Sequence, residues 1–106
     1  MKIFALIATA GILGLAAPVV QAAEDGAPLA QKGGCLACHT VDKKILGPSY
    51  KDVAAKYKGQ AGIEATIAKR IKEGSTGVWG PIPMPPNGAK LTDPEYATVV
   101  TWILAQ

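Results

Sequence analysis

Two cysteines and the only histidine of the chain fall within five consecutive positions, Cys35-Leu36-Ala37-Cys38-His39. No other stretch restricts the fold so tightly. The C-x-x-C-H spacing is the attachment signature of c-type haem. Each thiol adds across one vinyl group. The two-residue gap sets the sulfurs at the two vinyl positions along one porphyrin edge, and the histidine that follows can then ligate the iron from beneath. Three other readings compete. A dithiol redox pair of this spacing usually sits in a βαβ context, and none is visible. A zinc site wants four ligands, whereas Cys35, Cys38 and His39 are the only Cys or His available. A plain disulfide would suit an oxidising compartment.

The beginning of the chain points to such a compartment. Met1-Lys2 is a short positive start, and Ile3 to Ala17 is an unbroken run of apolar and small residues with one Thr. Val20-Gln21-Ala22 fits a small-residue cleavage site, so residues 1–22 read as a secretory signal peptide with cleavage after Ala22 or one residue later. An uncleaved anchor is the alternative, but the run is shorter than the ~20 residues a span prefers and Pro18 interrupts it. Nothing past residue 22 has the length and apolarity to span a membrane, so the expected product is a soluble periplasmic domain, residues 23–106, without membrane insertion.

A domain of that size struggles to bury enough apolar surface and usually needs a staple. Covalent haem would be that staple, and a broad apolar surface to pack on. Without Lys2, the ten Lys and Arg exceed the eight Asp and Glu by two, and two ionised propionates would offset that. No large single-sign field results, so nucleic acid is not an expected partner.

The rest reads as short helices joined by Gly/Pro loops. A first helix is expected over Ala27–Lys32, with Pro28 in its first turn, Leu29 and Ala30 facing inward and Gly33-Gly34 ending it. Tyr50–Tyr57 and Gly62–Glu73 follow; Ile63, Ile67 and Ile71 form one stripe on the latter. Ser75–Lys90 holds Gly77, Gly80 and Gly88 and the prolines Pro81, Pro83, Pro85 and Pro86, and is expected to be irregular. Thr92-Asp93-Pro94-Glu95 looks like a capping box opening a last helix that runs to about Ala105 and crosses the first. Trp102 is expected to pack.

Once Met1 leaves with the signal, Met84 is the sole methionine, framed by Pro81, Pro83, Pro85 and Pro86. Prolines restrict the backbone and lower the entropy of holding a side chain in place. A buried gap-filler is the competing reading. With one histidine, bis-histidine ligation is excluded, and Met84 is the candidate second iron ligand. A soft, neutral thioether favours ferrous iron and raises the reduction potential. It also occupies the sixth position, which suits electron transfer and not substrate chemistry.

These features resemble the class I c-type cytochromes, specifically the bacterial c-551/c-552 group. The strongest pieces are the Cys35–His39 motif, the block from Gly47-Pro48-Ser49 to Tyr57, and Gly77-Val78-Trp79-Gly80-Pro81-Ile82-Pro83-Met84-Pro85-Pro86-Asn87. The resemblance implies an all-α fold, four to five short helices wrapped around one covalently attached haem. It implies Cys35 and Cys38 as thioether attachments and His39 and Met84 as axial ligands. The Pro48 carbonyl would accept a hydrogen bond from the His39 ring, Asn87 would reach the Met84 sulfur, and Arg70 and Trp79 would hydrogen-bond a propionate. Many class I cytochromes carry an aromatic on the first helix where it meets the last; this chain has Leu29 and Ala30 there.

The expected function is that of a monomeric one-electron carrier, not an enzyme. Transient partners would be a quinol-oxidising complex upstream and a terminal reductase or oxidase downstream. A peroxidase or gas sensor would need a labile sixth ligand; a fixed subunit of a larger complex would need a permanent partner. If haem is the staple, haem-free protein should show no cooperative, native-like melt by circular dichroism; such a melt would refute the idea.

Overall fold

The computed structural model describes Gly11, Gly14 and residues 21–106, so the signal-peptide reading, but for Gly11, Gly14, Gln21 and Ala22, lies outside the described residues. Four α-helices follow one another: α1 Gln21–Lys32, α2 Tyr50–Tyr57, α3 Ile63–Glu73 and α4 Asp93–Leu104, with a single 3-10 turn at Cys35–Ala37. Among the described residues the only β-type pairing is an isolated antiparallel bridge between Ser75 and Met84. The all-α architecture expected from the sequence is the one observed. No helix of the described residues is long and apolar enough to cross a membrane.

The first helix starts at Gln21, well before the expected Ala27, and Pro28 lies inside it. Ala22, Ala23 and Glu24 are good helix formers, and they carry the backbone helix across the position where cleavage was expected. The C-terminal end is as read: Gly33 N–H donates to Leu29 O at 2.8 Å, and Gly34, with φ 74°, turns the chain out.

Each later helix has a local cause. At α2, Ser49 Oγ accepts from Asp52 N–H at 3.1 Å, and Tyr50, Val53 and Tyr57 form the buried face. On α3, Ile67 and Ile71 are buried and Ile63 partly so. At α4 the capping box is complete: Thr92 Oγ1 accepts from Glu95 N–H at 3.3 Å, and Glu95 Oε1 accepts from Thr92 N–H at 3.0 Å. The Thr92 N–H, and after it Lys32 at 3.0 Å, hold the Glu95 carboxyl below its ordinary range. The Lys32–Glu95 pair also ties the end of α1 to the start of α4.

The core gathers Tyr96, Val99, Val100 and Ile103 of α4 with Tyr50, Val53, Tyr57, Ile67, Ile71 and Leu91. Ala30 of α1 is fully buried, and Leu29 packs partly buried against the cluster. The expected crossing of α1 and α4 is present, and its close contact is Gly26 against Trp102. An added Cβ at Gly26 would collide with the Cβ and Cγ of Trp102. Gly26 and Ala30 are one helical turn apart and share a face. The aromatic at this crossing therefore comes from the last helix, and the first supplies small residues to receive it.

A Cβ there meets the root of the tryptophan side chain, which cannot rotate away. Gly26→Ala should therefore cost about 1–3 kcal/mol of overpacking. In a domain of this size that corresponds to a fall in Tm of roughly 4–8 °C per kcal/mol, read by thermal melting beside the exposed-site variant Ala27→Ser, which should melt like the parent.

Candidate functional site

The motif sits where α1 ends. Gly34 turns the chain into the 3-10 turn, and Cys38 and His39 N–H groups both point back to Cys35 O, at 3.2 and 3.0 Å. Cys35 and Cys38 are both half-buried and form no disulfide with each other. Burial is the main cause that raises the Cys35 thiol above its ordinary range. Among the described residues no three His, Cys, Asp or Glu side chains gather as metal ligands.

The segment after the motif folds back onto it. Gly47 N–H donates to Cys38 O at 2.8 Å, Tyr50 N–H to Thr40 O at 2.9 Å and Lys51 N–H to Val41 O at 3.1 Å. This return brings Pro48 O to 2.8 Å from His39 Nδ1. A carbonyl only accepts, so Nδ1 must carry the proton, which leaves the lone pair on Nε2. The Tyr50 ring stacks on the imidazole, centroids 5.3 Å apart and planes 19° off parallel. Gly47 closes another side: a Cβ there would lie 2.7 Å from His39 Nδ1. The ring is thus held by a hydrogen bond, an aromatic face and a backbone without a side chain, and its free nitrogen is a ready metal ligand.

Met84 is half-buried and packs against the core cluster. Its backbone is bridged to Ser75 in both directions, Met84 N–H to Ser75 O at 2.9 Å and Ser75 N–H to Met84 O at 3.0 Å. Next to the bridge, Gly74 has φ 82°, and a Cβ there would lie 2.9 Å from Met84 O. Beyond Met84 the loop is pinned again: Asn87 N–H donates to Ile71 O at 2.9 Å and Gly88 N–H to Lys72 O at 3.0 Å. These carbonyls belong to the last turn of α3, where intrahelical donors have run out.

The Asn87 side chain is held from two sides. Its Nδ2 donates to Gly33 O at 2.8 Å, and its Oδ1 accepts from the Tyr96 hydroxyl at 2.6 Å. The side-chain amide thus joins the end of α1 to α4, and its NH2 group keeps a second hydrogen for the expected contact with the Met84 sulfur.

Arg70 and Trp79 come together around Tyr57. Arg70 Nη1 donates to Tyr57 Oη at 2.9 Å, and Trp79 meets the Tyr57 ring edge-on, centroids 6.2 Å apart. Lys56 Nζ lies 4.3 Å from the Trp79 ring centroid and donates to Val78 O at 3.2 Å. The guanidinium keeps further donors for a carboxylate. Lys56 and Tyr57 belong to this cluster without having been singled out for it; a buried tyrosine whose hydroxyl needs a partner was the available signal.

Among the described residues the exposed large apolar ones are Leu36, Ile45, Leu46, Trp79 and Ile82. All of them lie on the motif, the return to Pro48 or the Met84 loop, the segments that carry the candidate ligands. The described residues also contain one buried side-chain polar atom without a hydrogen-bond partner, Tyr50 Oη, on the residue stacked against His39. Large apolar side chains left exposed on these segments are surface that a covering group would bury. A flat apolar macrocycle joined at Cys35 and Cys38 fits that surface, and His39 offers it a free nitrogen.

A family model described as cytochrome c oxidase, cbb3-type, subunit III matches residues 21–103. Cytochrome c-551 of Pseudomonas aeruginosa is 58% identical over 84 residues, 79% of either chain. Cytochrome c-552 of Hydrogenobacter thermophilus is 41% identical over 105 residues, covering 99% of this chain and 98% of its own. The crystal structure of wild-type Nitrosomonas europaea cytochrome c552 superposes with a TM-score of 0.70 at 47% identity, covering 74% of this chain and 95% of that one. The class 1 cytochrome MtoD from Sideroxydans lithotrophicus does so at 0.63 and 34% identity, covering 84% and 97%. With relatives and solved structures agreeing along most of its length, this chain belongs to the class I c-type cytochromes, in the c-551/c-552 group, and takes covalently attached haem c.

Proposed function

We propose that the protein is a soluble periplasmic carrier of single electrons and not an enzyme, with Cys35 and Cys38 as the thioether attachments and His39 and Met84 as the axial ligands. The observation that carries this reading is the hydrogen bond from His39 Nδ1 to Pro48 O, 2.8 Å long, which leaves Nε2 as the free nitrogen. When bound, haem c supplies a one-electron Fe(III)/Fe(II) couple, its potential set by axial ligand and surroundings.

The chain's own residues do the rest. Pro48 O, Tyr50 and Gly47 hold the imidazole in one orientation. The Ser75 bridge and the anchoring of Asn87 and Gly88 on α3 limit how far Met84 can move. A Met84 thioether held there would bind the haem iron and leave no place for a substrate, which is why the reading is transfer and not catalysis. Arg70 and Trp79, gathered around Tyr57, are the residues proposed to meet a propionate. Brief docking with redox partners would use a small patch around the haem edge beside Cys35 and Cys38. Those partners would be a quinol-oxidising complex as donor and a terminal reductase or oxidase as acceptor, met by a monomer.

A second reading, a fixed subunit of an oxidase, draws on the description of the matching family model. The c-552 relative that matches 99% of this chain with 98% of its own length favours the free carrier. Size-exclusion of native periplasmic extract separates them: the carrier elutes alone, the subunit with its complex.

Met84→Ala tests the ligation. Its midpoint potential should fall by ~0.2 V, within the ~0.8 V range over which axial ligands act, and the ferric protein should bind cyanide readily where the parent does not. An unchanged potential in redox titration would remove Met84 from the iron.

A further inference from the structure

Tyr96 is 1% exposed, on the inner face of α4, and its periodicity marks it as core. Its hydroxyl nevertheless does something no apolar residue could. It lies 2.6 Å from Asn87 Oδ1 and 2.7 Å from Gly88 O, both acceptors. Gly33 O fixes the amide the other way round, because a carbonyl can only take the NH2 side of Asn87. One buried proton therefore serves two acceptors that follow Met84 by three and four positions. The backbone N–H groups of those same residues are the ones bonded to the end of α3.

We infer that Tyr96 is a positioning residue for Met84, its hydroxyl clamping the Asn87–Gly88 segment so that the loop carrying the methionine stays closed. The inference rests on the proposed ligation by Met84. Removing the hydroxyl leaves Asn87 Oδ1 and Gly88 O short of a donor in a half-buried place, which favours states in which the segment lifts and water reaches them. An external ligand that binds only when Met84 has left reports that open population, since its apparent Kd falls as the open fraction rises.

The test uses ferric holoprotein and imidazole as the competing ligand, with parent, Tyr96→Phe, Met84→Ala and Gly26→Ala compared. Tyr96→Phe should bind imidazole on the order of tenfold more tightly than the parent, about 1.4 kcal/mol. Exchange of the Asn87 and Gly88 amide hydrogens should quicken in the same proportion. Gly26→Ala, which strains the α1–α4 crossing and removes none of the hydrogen bonds of the clamp, should lose thermal stability without that gain. If Tyr96→Phe binds imidazole like the parent and its two amides exchange at the parental rate, while Met84→Ala binds strongly, the clamp is refuted and the ligation stands. If Met84→Ala and the parent bind imidazole alike, the ligation itself fails. A tightening equal in Tyr96→Phe and Gly26→Ala would reduce the tyrosine to a general contributor to stability and overturn its positioning role.

Discussion

The close passage of α4 over α1 is the constraint on which the rest hangs. Trp102 lies directly over Gly26, which only a residue without a side chain permits. Once these helices cross, the end of α1 is fixed against the body of the domain, and the motif begins immediately after that end. The core is small and drawn mainly from α2, α3 and α4, so there is little other apolar burial to position Cys35–His39. A small domain gets its precision from a few tight contacts when it cannot get it from bulk.

Two loops then bring chemistry to the motif, and both are held mainly by backbone. The return through Gly47 and Pro48 uses carbonyls and N–H groups to set the imidazole. The loop around Met84 uses the Ser75 bridge on one side and α3's spare carbonyls on the other. Glycine matters at two of these places for one reason: at Gly47 the ring, and at Gly74 the loop backbone, comes where a Cβ would be. Side chains add the finer settings, with Tyr50 on one face of His39 and the Arg70–Tyr57–Trp79 cluster bracing the loop against α2 and α3.

Much of this was legible in the chain. The capping box, the isoleucine stripe of α3, the glycine stops and the irregular proline-rich segment each have a local cause, and local causes survive folding. The His39–Pro48 pair was legible only through family resemblance, because they lie nine positions apart across a loop and no periodicity reports on a loop. The start of α1 was missed because Pro28 read as a beginning, while the alanines before it sustain helix. Gly26 escaped notice because a glycine within a helix shows only its cost until the partner helix is in place. The bonds of Asn87 to Gly33 O and Tyr96 Oη were not legible, since these partners meet it only in three dimensions.

The docking of Asn87 and Gly88 on the carbonyls of Ile71 and Lys72 makes the last turn of α3 and the loop after Met84 share their hydrogen bonds. Helix ends ordinarily fray by themselves, at little cost. Here fraying would have to break the tertiary bonds as well, so the helix end and the loop make up one cooperative unit. The distal loop thereby takes on the rigidity of a helix to which it does not belong.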